Sequence, residues 1–241
     1  MRVGAGLEKI REHARQHGLA KTAHRLSYAV LKHSVHYLNM RCIWAAEKEI
    51  RTLTADESGR VERYTTQFLG GEEALRIAGR EECRRAGMTA EFAENAMDEG
   101  HECLAVMDGD FVAHFSWYSR KSPTRINDDW TLHFDERSVY VYFVYTDPAY
   151  RGQKLLPFAV KKAVANSGAE KALAFVESAN YSSLKSFYGM GFRDFAHIQV
   201  ARVLGKPLLR HGAGWERFGF RVAQNIRWEG AKGAAATSVG S

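Results

Sequence analysis

With 241 residues, 45% of them hydrophobic and 12% aromatic, the chain can bury one sizeable core with appendages and falls outside the intrinsically disordered class. Cys42, Cys83 and Cys103 are odd in number, widely spaced and without a Cys-x-x-Cys pair, so neither a disulfide framework nor a zinc site is indicated and a reducing cytoplasm fits. No apolar run approaches ~20 residues and Met1-Arg2-Val3-Gly4 leads into a charged segment, which excludes a membrane-spanning helix and a standard secretion signal.

The formal charge of +6 sits at one end: residues 1 to 41 hold eight Lys or Arg against Glu8 and Glu12, and the remainder is neutral. Leu19, Ala23, Leu26, Val30 and Tyr37 recur at helical steps, which predicts an amphipathic helical extension with a basic face. Two readings stay open for it. It docks on an anionic membrane surface or acidic partner, making the protein peripheral to the inner face of the membrane, or it packs on the rest of the chain or on the mate of a homodimer with its charges in water. His13 with His17, and His33 with His36, have ligand spacing but no acidic companions, so no functional metal site is expected. Charge confined to one end, without a basic aromatic stripe elsewhere, argues against a nucleic-acid partner.

Cys42-Ile43-Trp44-Ala45 and Ile50-Arg51-Thr52-Leu53 read as a first strand or hairpin. Thr54 with Glu57 three residues on forms a capping box. Residues 71 to 97 are helical in composition with a break near Gly87. Cys103 to Phe115 is two apolar runs around Asp108-Gly109, a hairpin signal. Trp117, Tyr118, Trp130, Tyr140 and Tyr142 give the middle of the chain an aromatic bias.

The most informative stretch follows. Val139 to Val144 is a β-prone run that enters an Asp147-Pro148 turn, and Pro157 suits the first position of a helix. Strand, short loop and helix start make an anion site, because the helix begins with N–H groups that have no internal acceptor and with the positive end of its dipole. Gly152 lets the main chain approach, and Arg151 and Lys154 add positive charge. A helix over Phe158 to Asn166, ending at Ser167-Gly168, leads to a second strand over Ala172 to Val176, so the unit is βαβ with a parallel pair. Glu177 to Phe192 is then a capped short helix running into Gly191-Phe192.

The Pro148-x-x-Arg151-Gly152 loop, Asn180 after the second parallel strand, the Gly191-Phe192 closure and the preceding hairpin together resemble the GNAT superfamily of acyl-CoA-dependent N-acyltransferases, over roughly Cys42 to Leu204. The resemblance implies an α/β fold, with a mixed, mostly antiparallel twisted sheet, a central parallel pair and flanking helices. It implies acetyl-CoA or another acyl-CoA as co-substrate and no metal. The diphosphate would lie on Arg151, Gly152, Gln153, Lys154, Leu155 and Leu156, and the pantetheine arm between the parallel strands near Val144, Thr146, Asn180, Ser183 and Phe187. Two departures stand out. Lys154 and Leu156 occupy positions where relatives carry small residues, and Phe187 stands where many carry the tyrosine that protonates the CoA thiolate; Tyr188 is rotated from it by ~100° on a helix.

An amine acceptor must lose a proton before it attacks a thioester. Candidates for the base are Glu177, Glu136, Asp135, His133 and Tyr142, and a strand N–H exposed by a bulge near Val144 to Thr146 would stabilise the oxyanion. Tyr188 is the candidate acid, with water as the alternative. The resulting expectation is direct acetyl transfer to a primary amine of a small molecule, an amino sugar by analogy with exopolysaccharide-cluster enzymes; the rival is a catalytically weak acyl-CoA sensing module. The chain divides into a helical extension (1–41), an acyltransferase domain (42–204), a strand or arm (205–229) and a disordered tail (230–241).

Overall fold

The computed structural model describes residues 2–35, 37–122, 124–125, 130–203, 206–212 and 221–224; the tail expected over 230–241 lies outside them. Two helices, α1 (Arg2–His17) and α2 (Leu19–Val35), meet at Gly18, whose φ of +86° makes the sharp joint. Strand β1 (Leu38–Ala46) follows, then α3 (Ala55–Val61), β2 (Thr65–Leu69), α4 (Gly71–Ala78), α5 (Glu81–Arg85) and α6 (Ala90–Asp98). The chain continues through β3 (Glu102–Asp108), β4 (Phe111–Ser119), β5 (Thr124–Arg125), β6 (Trp130–His133) and β7 (Ser138–Thr146). It closes with α7 (Leu155–Ser167), β8 (Lys171–Glu177), α8 (Tyr181–Gly189), β9 (Arg193–Val203), β10 (Lys206–His211) and β11 (Arg221–Gln224).

Among the described residues the main sheet has eight strands in the order β10-β9-β1-β8-β7-β4-β3-β2, and β11-β6-β5 form a smaller one. Every neighbouring pair is antiparallel except β7 with β8, the βαβ unit. The predicted mixed, mostly antiparallel sheet with one central parallel pair is therefore what forms. Period-two alternation sends successive residues to opposite faces. Val139, Val141, Ala172 and Ala174 pack with Leu155, Ala159, Val160 and Ala163 of α7, whereas Tyr140 and Leu173 pack on the other face with Leu132 and Phe134. Further along that second face, α4 and α6 lay Ala74, Ile77 and Ala93 on Phe115 and Trp117 of β4. Covered on both sides, β4 is buried almost throughout; its polar His114, Ser116 and Tyr118 alternate with Phe115 and Trp117 but bond to one another and not to solvent.

Thr54 caps α3 with the full box: its hydroxyl accepts from Glu57 N and Glu57 accepts from Thr54 N. The hairpin turns at Gly109-Asp110, with φ +57° at Gly109. Local expectations fail in three places. Residues 50 to 53 form no strand: a 3₁₀ turn at Glu47–Glu49 redirects the chain, buried Ile50 reaches the core from a loop, and Arg51 N donates to Met190 O (2.9 Å) instead of to a ladder. Helix α7 begins at Leu155, so Pro157 is its third residue; the first-turn N–H it lacks has no helical acceptor in any case. Strand β1 starts at Leu38, inside the segment assigned to the extension, and Tyr37 is off the helix.

Within the extension, His13, Thr22 and Tyr28 are buried, while Leu19, Leu26 and Val30 are 79%, 45% and 67% exposed. The polar and aromatic face of the hairpin thus turns inward and its apolar stripe outward. No described helix is long and apolar enough to cross a membrane.

Candidate active site

Strands β7 and β8 pair only from Ser138↔Lys171 to Val141↔Ala174. Beyond that point β8 stays on β1, through Phe175↔Cys42 to Glu177↔Met40, and β7 stays on β4, through Trp117↔Tyr142 to His114↔Thr146. A wedge opens between them. On the β7 side an extra residue between Tyr142 and Tyr145 makes a bulge. Its seat is Phe143, at φ +41°, an unusual conformation for a bulky side chain. Edge-on contacts with Phe92 (4.8 Å) and Phe115 (5.4 Å) hold the ring there, so packing sustains the strain. Main-chain groups of residues 142 to 146 on the wedge side have no ladder partner among the described residues.

The wedge runs into a cleft of about 1740 Å³. Its wall includes Val144, Thr146, Arg151, Gly152, Lys154, Leu155, Leu156, Asn180 and Ser183, all predicted for the cofactor. The loop above α7 is well anchored. Asp147 Oδ1 accepts from Ala149 N (3.0 Å), Tyr150 donates to Asp108 (3.0 Å), and the Tyr150 ring stacks on Phe111 at 5.4 Å. Gly152 takes φ +79° and Lys154, the N-cap of α7, takes φ +64°. A left-handed lysine costs about 1–2 kcal/mol, which gives the physical reason a small residue is preferred there. Lys154 is held by an ion pair to Glu57 (3.1 Å), which also accepts from Arg51 (2.9 Å). Hydrogen bonds from the Thr54 main chain and from Lys154 bring the Glu57 carboxyl down to about 2. Sequence reasoning saw Glu57 only as a helix cap; it is also the counter-ion at the anion loop.

Gln153, predicted on the diphosphate, turns away: its carbonyl accepts from Arg63 (2.9 Å) and from the Tyr64 hydroxyl. Asn180 caps α8, its Oδ1 accepting from Ser183 N (3.2 Å) and Ser182 Oγ (3.0 Å), which leaves the amide nitrogen to donate. At the other end of α8, Gly191 has φ +98°, and a Cβ there would lie 2.6 Å from the Glu49 carbonyl oxygen. Phe187, also predicted at the cofactor, is instead core, buried edge-on against Phe192 at 5.0 Å. Tyr188 donates to both carboxylate oxygens of Asp194 (3.0 and 3.1 Å), and burial with that carboxylate pushes it up to about 12. The proposed acid is thus tied to β9, as the ~100° helical step implies.

The base candidates separate likewise. Asp135 clamps the start of the parallel pair, bonded to Lys171 (2.7 Å) and Ser138 (2.6 Å); burial alone would raise its carboxyl, but these bonds hold it below the usual range. Glu136 beside it is exposed. His133 belongs to the small sheet, in register with Arg221. Glu177 stands by Tyr28 of α2, whose hydroxyl is pushed up to about 12 by burial and then by this carboxylate.

Tyr142 alone sits where the wedge opens, on the face away from α7. Its ring stacks on Tyr140 (5.5 Å, 7°) and its hydroxyl bonds His101 Nδ1. His101 was missed from sequence. It is buried beside Thr124 Oγ1 (3.3 Å), with Glu99 Oε2 at 3.5 Å from Nε2. Burial lowers the His101 pKa despite Glu99 and raises that of Tyr142. The local signal was a histidine directly after Gly100, whose φ of +73° ends α6, but only the sheet brings it to Tyr142.

No family model matches the sequence, and no curated protein matches it. Solved structures do. A GCN5-related glucosamine N-acetyltransferase region of a fungal multi-domain GH3 β-N-acetylglucosaminidase has a TM-score of 0.51 at 11% identity, over 80% of this chain and 23% of that one. A GNAT-family protein of Novosphingobium aromaticivorans gives 0.42 at 15% identity, over 68% and 63%. The yncA protein of Salmonella typhimurium, solved with acetyl-CoA as its cofactor, gives 0.39 at 15%, over 68% and 94%. This chain spans less than two thirds of the length of the first two. At such identities the likeness concerns architecture, and with the order of the sheet and its single parallel pair it shows that the chain has the GNAT acetyltransferase fold.

Proposed function

We propose that the protein is an acyl-CoA-dependent N-acyltransferase that moves an acetyl group directly from acetyl-CoA to a primary amine of a small molecule. The observation that carries this reading is the shared cleft: the unpaired edge of β7, the α7 N-terminus with Arg151, and the Asn180 cap line one space. The diphosphate would meet Arg151, Lys154 and the Leu155 and Leu156 N–H groups. Pantetheine would enter the wedge between β7 and β8, with Val144, Thr146, Asn180 and Ser183 along it.

A main-chain N–H of the bulged segment around Phe143, which has no ladder partner on the wedge side among the described residues, would stabilise the oxyanion. The ammonium proton of the amine passes to the Tyr142 oxygen as the Tyr142 proton passes to His101, the freed nitrogen attacks the thioester carbon, and its second proton leaves to water. The carbon–sulfur bond then breaks, and the thiolate takes a proton from water. Depressed by burial, His101 is neutral at pH 7 and free to accept, and Glu99 stabilises the imidazolium that results. An amino sugar is the acceptor class to test first: the fungal neighbour acts on glucosamine, and the partly exposed rings of Phe92 and Tyr142 suit a sugar face.

Thiol release from acetyl-CoA over a panel of amino sugars and other primary amines tests the reaction, with an acetyl mass increase on the accepted amine as the expected result. The second reading, an acyl-CoA sensing module, is favoured by the engagement of Tyr188 with Asp194 and the burial of Phe187, which leave neither side chain placed to protonate the thiolate. Tight CoA binding with no turnover on any amine would select it; no CoA binding at all removes both.

A further inference from the structure

The cationic extension is part of this cleft. Its hairpin docks on the first residue of α8: the Tyr181 ring lies among the His13, His17 and His24 rings at 6.1, 5.8 and 6.2 Å, and Lys21 Nζ is 5.2 Å from its centroid. The Tyr181 hydroxyl shares a hydrogen bond with His24 Nδ1 (2.7 Å), and Tyr28 accepts from Asn39 N (3.1 Å). This fixes the hairpin next to Asn180. One stripe of α1, Glu8, Arg11, Glu12 and Arg15, then faces the cleft, as does one stripe of α2, Thr22, Arg25, Leu26 and Ala29.

The chemistry of the cofactor says what such a wall would meet. CoA carries a diphosphate and, on the ribose beyond it, a separate dianionic 3′-phosphate. Among the cations the domain itself brings to the cleft, Lys154 and Arg51 are paired with Glu57, Arg151 stands at the diphosphate loop, and Lys185 of α8 is a single exposed ammonium. Arg11, Arg15 and Arg25 are exposed and carry no ion pair among the described residues. Arginine is the side chain suited to a phosphate, through paired N–H donors.

We propose that the α1–α2 hairpin is the outer wall of the acyl-CoA site and that Arg11, Arg15 and Arg25 hold the 3′-phosphate, an inference that rests on the acyl-CoA reading above. The hairpin is then a nucleotide-selecting element supplied from outside the βαβ unit.

Calorimetry on the full chain at about 0.15 M salt, where long-range attraction is screened, tests it with CoA and 3′-dephospho-CoA. The wild type should prefer CoA by about tenfold or more. The variant Arg11→Gln/Arg15→Gln/Arg25→Gln, whose changes are exposed and whose melting curve should match wild type, should bind the two nucleotides alike. Arg151→Ala should weaken both by a common factor. A triple variant that keeps the preference, or a wild type that has none, overturns the phosphate role while leaving acyl-CoA binding intact. A wild type that binds neither nucleotide overturns the acyl-CoA reading and this inference with it.

Discussion

The two faces of the wedge between β7 and β8 are built differently. On the α7 side the groups proposed to meet CoA are main-chain donors, helix starts and cations, and apart from the α1–α2 hairpin and Arg51 with Glu57 they come from one run of chain between residues 144 and 190. On the opposite side the proposed chemistry belongs to side chains from three separate elements, Glu99 and His101 after α6, Thr124 of β5 and Tyr142 of β7; His101 and Thr124 are buried, Tyr142 is half-buried and Glu99 lies at the surface. A site made from element ends survives many side-chain changes. A proton relay through buried groups depends on each member, because a lost partner leaves a desolvated polar atom unpaired.

That contrast can be broken from either side. The largest expected effect is chemical: Tyr142→Phe should lower turnover about a hundredfold or more while leaving the dissociation constant of CoA within about twofold, since it removes proton transfer and not the cofactor wall. Equal losses in both quantities would mean that the two faces are not independent. Gly191→Ala should act on the other face and through stability, by about 3 kcal/mol in urea unfolding, because the new methyl meets the Glu49 carbonyl at a φ that disfavours alanine.

Acid distinguishes the buried histidines. His114, beneath Thr146 (2.8 Å) and beside Ser116 (3.2 Å), has its pKa lowered by burial from 6.5 to about 3. Between those values the unfolded chain binds the proton and the folded chain does not. Stability should therefore be unaffected by this group above pH 6.5 and decline below it, by up to about 1.4 kcal/mol per unit, until the folded pKa is reached. Urea midpoints across pH should show the slope, and His114→Gln should flatten it. His101 is lowered in the same direction, so the acid limb of turnover should lie below 6.5; a limb above it would remove His101 as proton acceptor. The smallest effect is at the anion loop. Lys154→Gly relieves a left-handed side chain but loses the Glu57 pair, and the two should nearly cancel, to within about 1 kcal/mol in thermal melts.

The local structure of the proposed cofactor side was readable because its signals are local. Pro148, Arg151 and Gly152 mark a turn into a helix, Asn180 caps the next helix three residues before the N–H it bonds, and Gly191 closes it where only glycine fits. Thr54 and Glu57 form their box within one turn for the same reason. Tyr142 was named from its strand, but its partner His101 lies 41 positions away, and no periodicity connects them. Gln153 and Phe187 were misplaced because loop and helix spacing says which residues are near a ligand and not which way each side chain turns; Arg63 with Tyr64 settles the first and Phe192 the second. The strand expected over residues 50 to 53 failed because apolar content cannot tell a paired strand from a loop that buries Ile50.

By itself the sequence determined the parallel pair, the anion loop and the capped helix after it, since each is set by turn residues, caps and hydrophobic period within a few positions of one another. Only the tertiary structure decided that the basic extension faces the same cleft, that Glu57 is the counter-ion of Lys154, and that His101 stands behind Tyr142. Those contacts join segments far apart along the chain, and which of them form depends on how sheet order and packing place the elements that carry them.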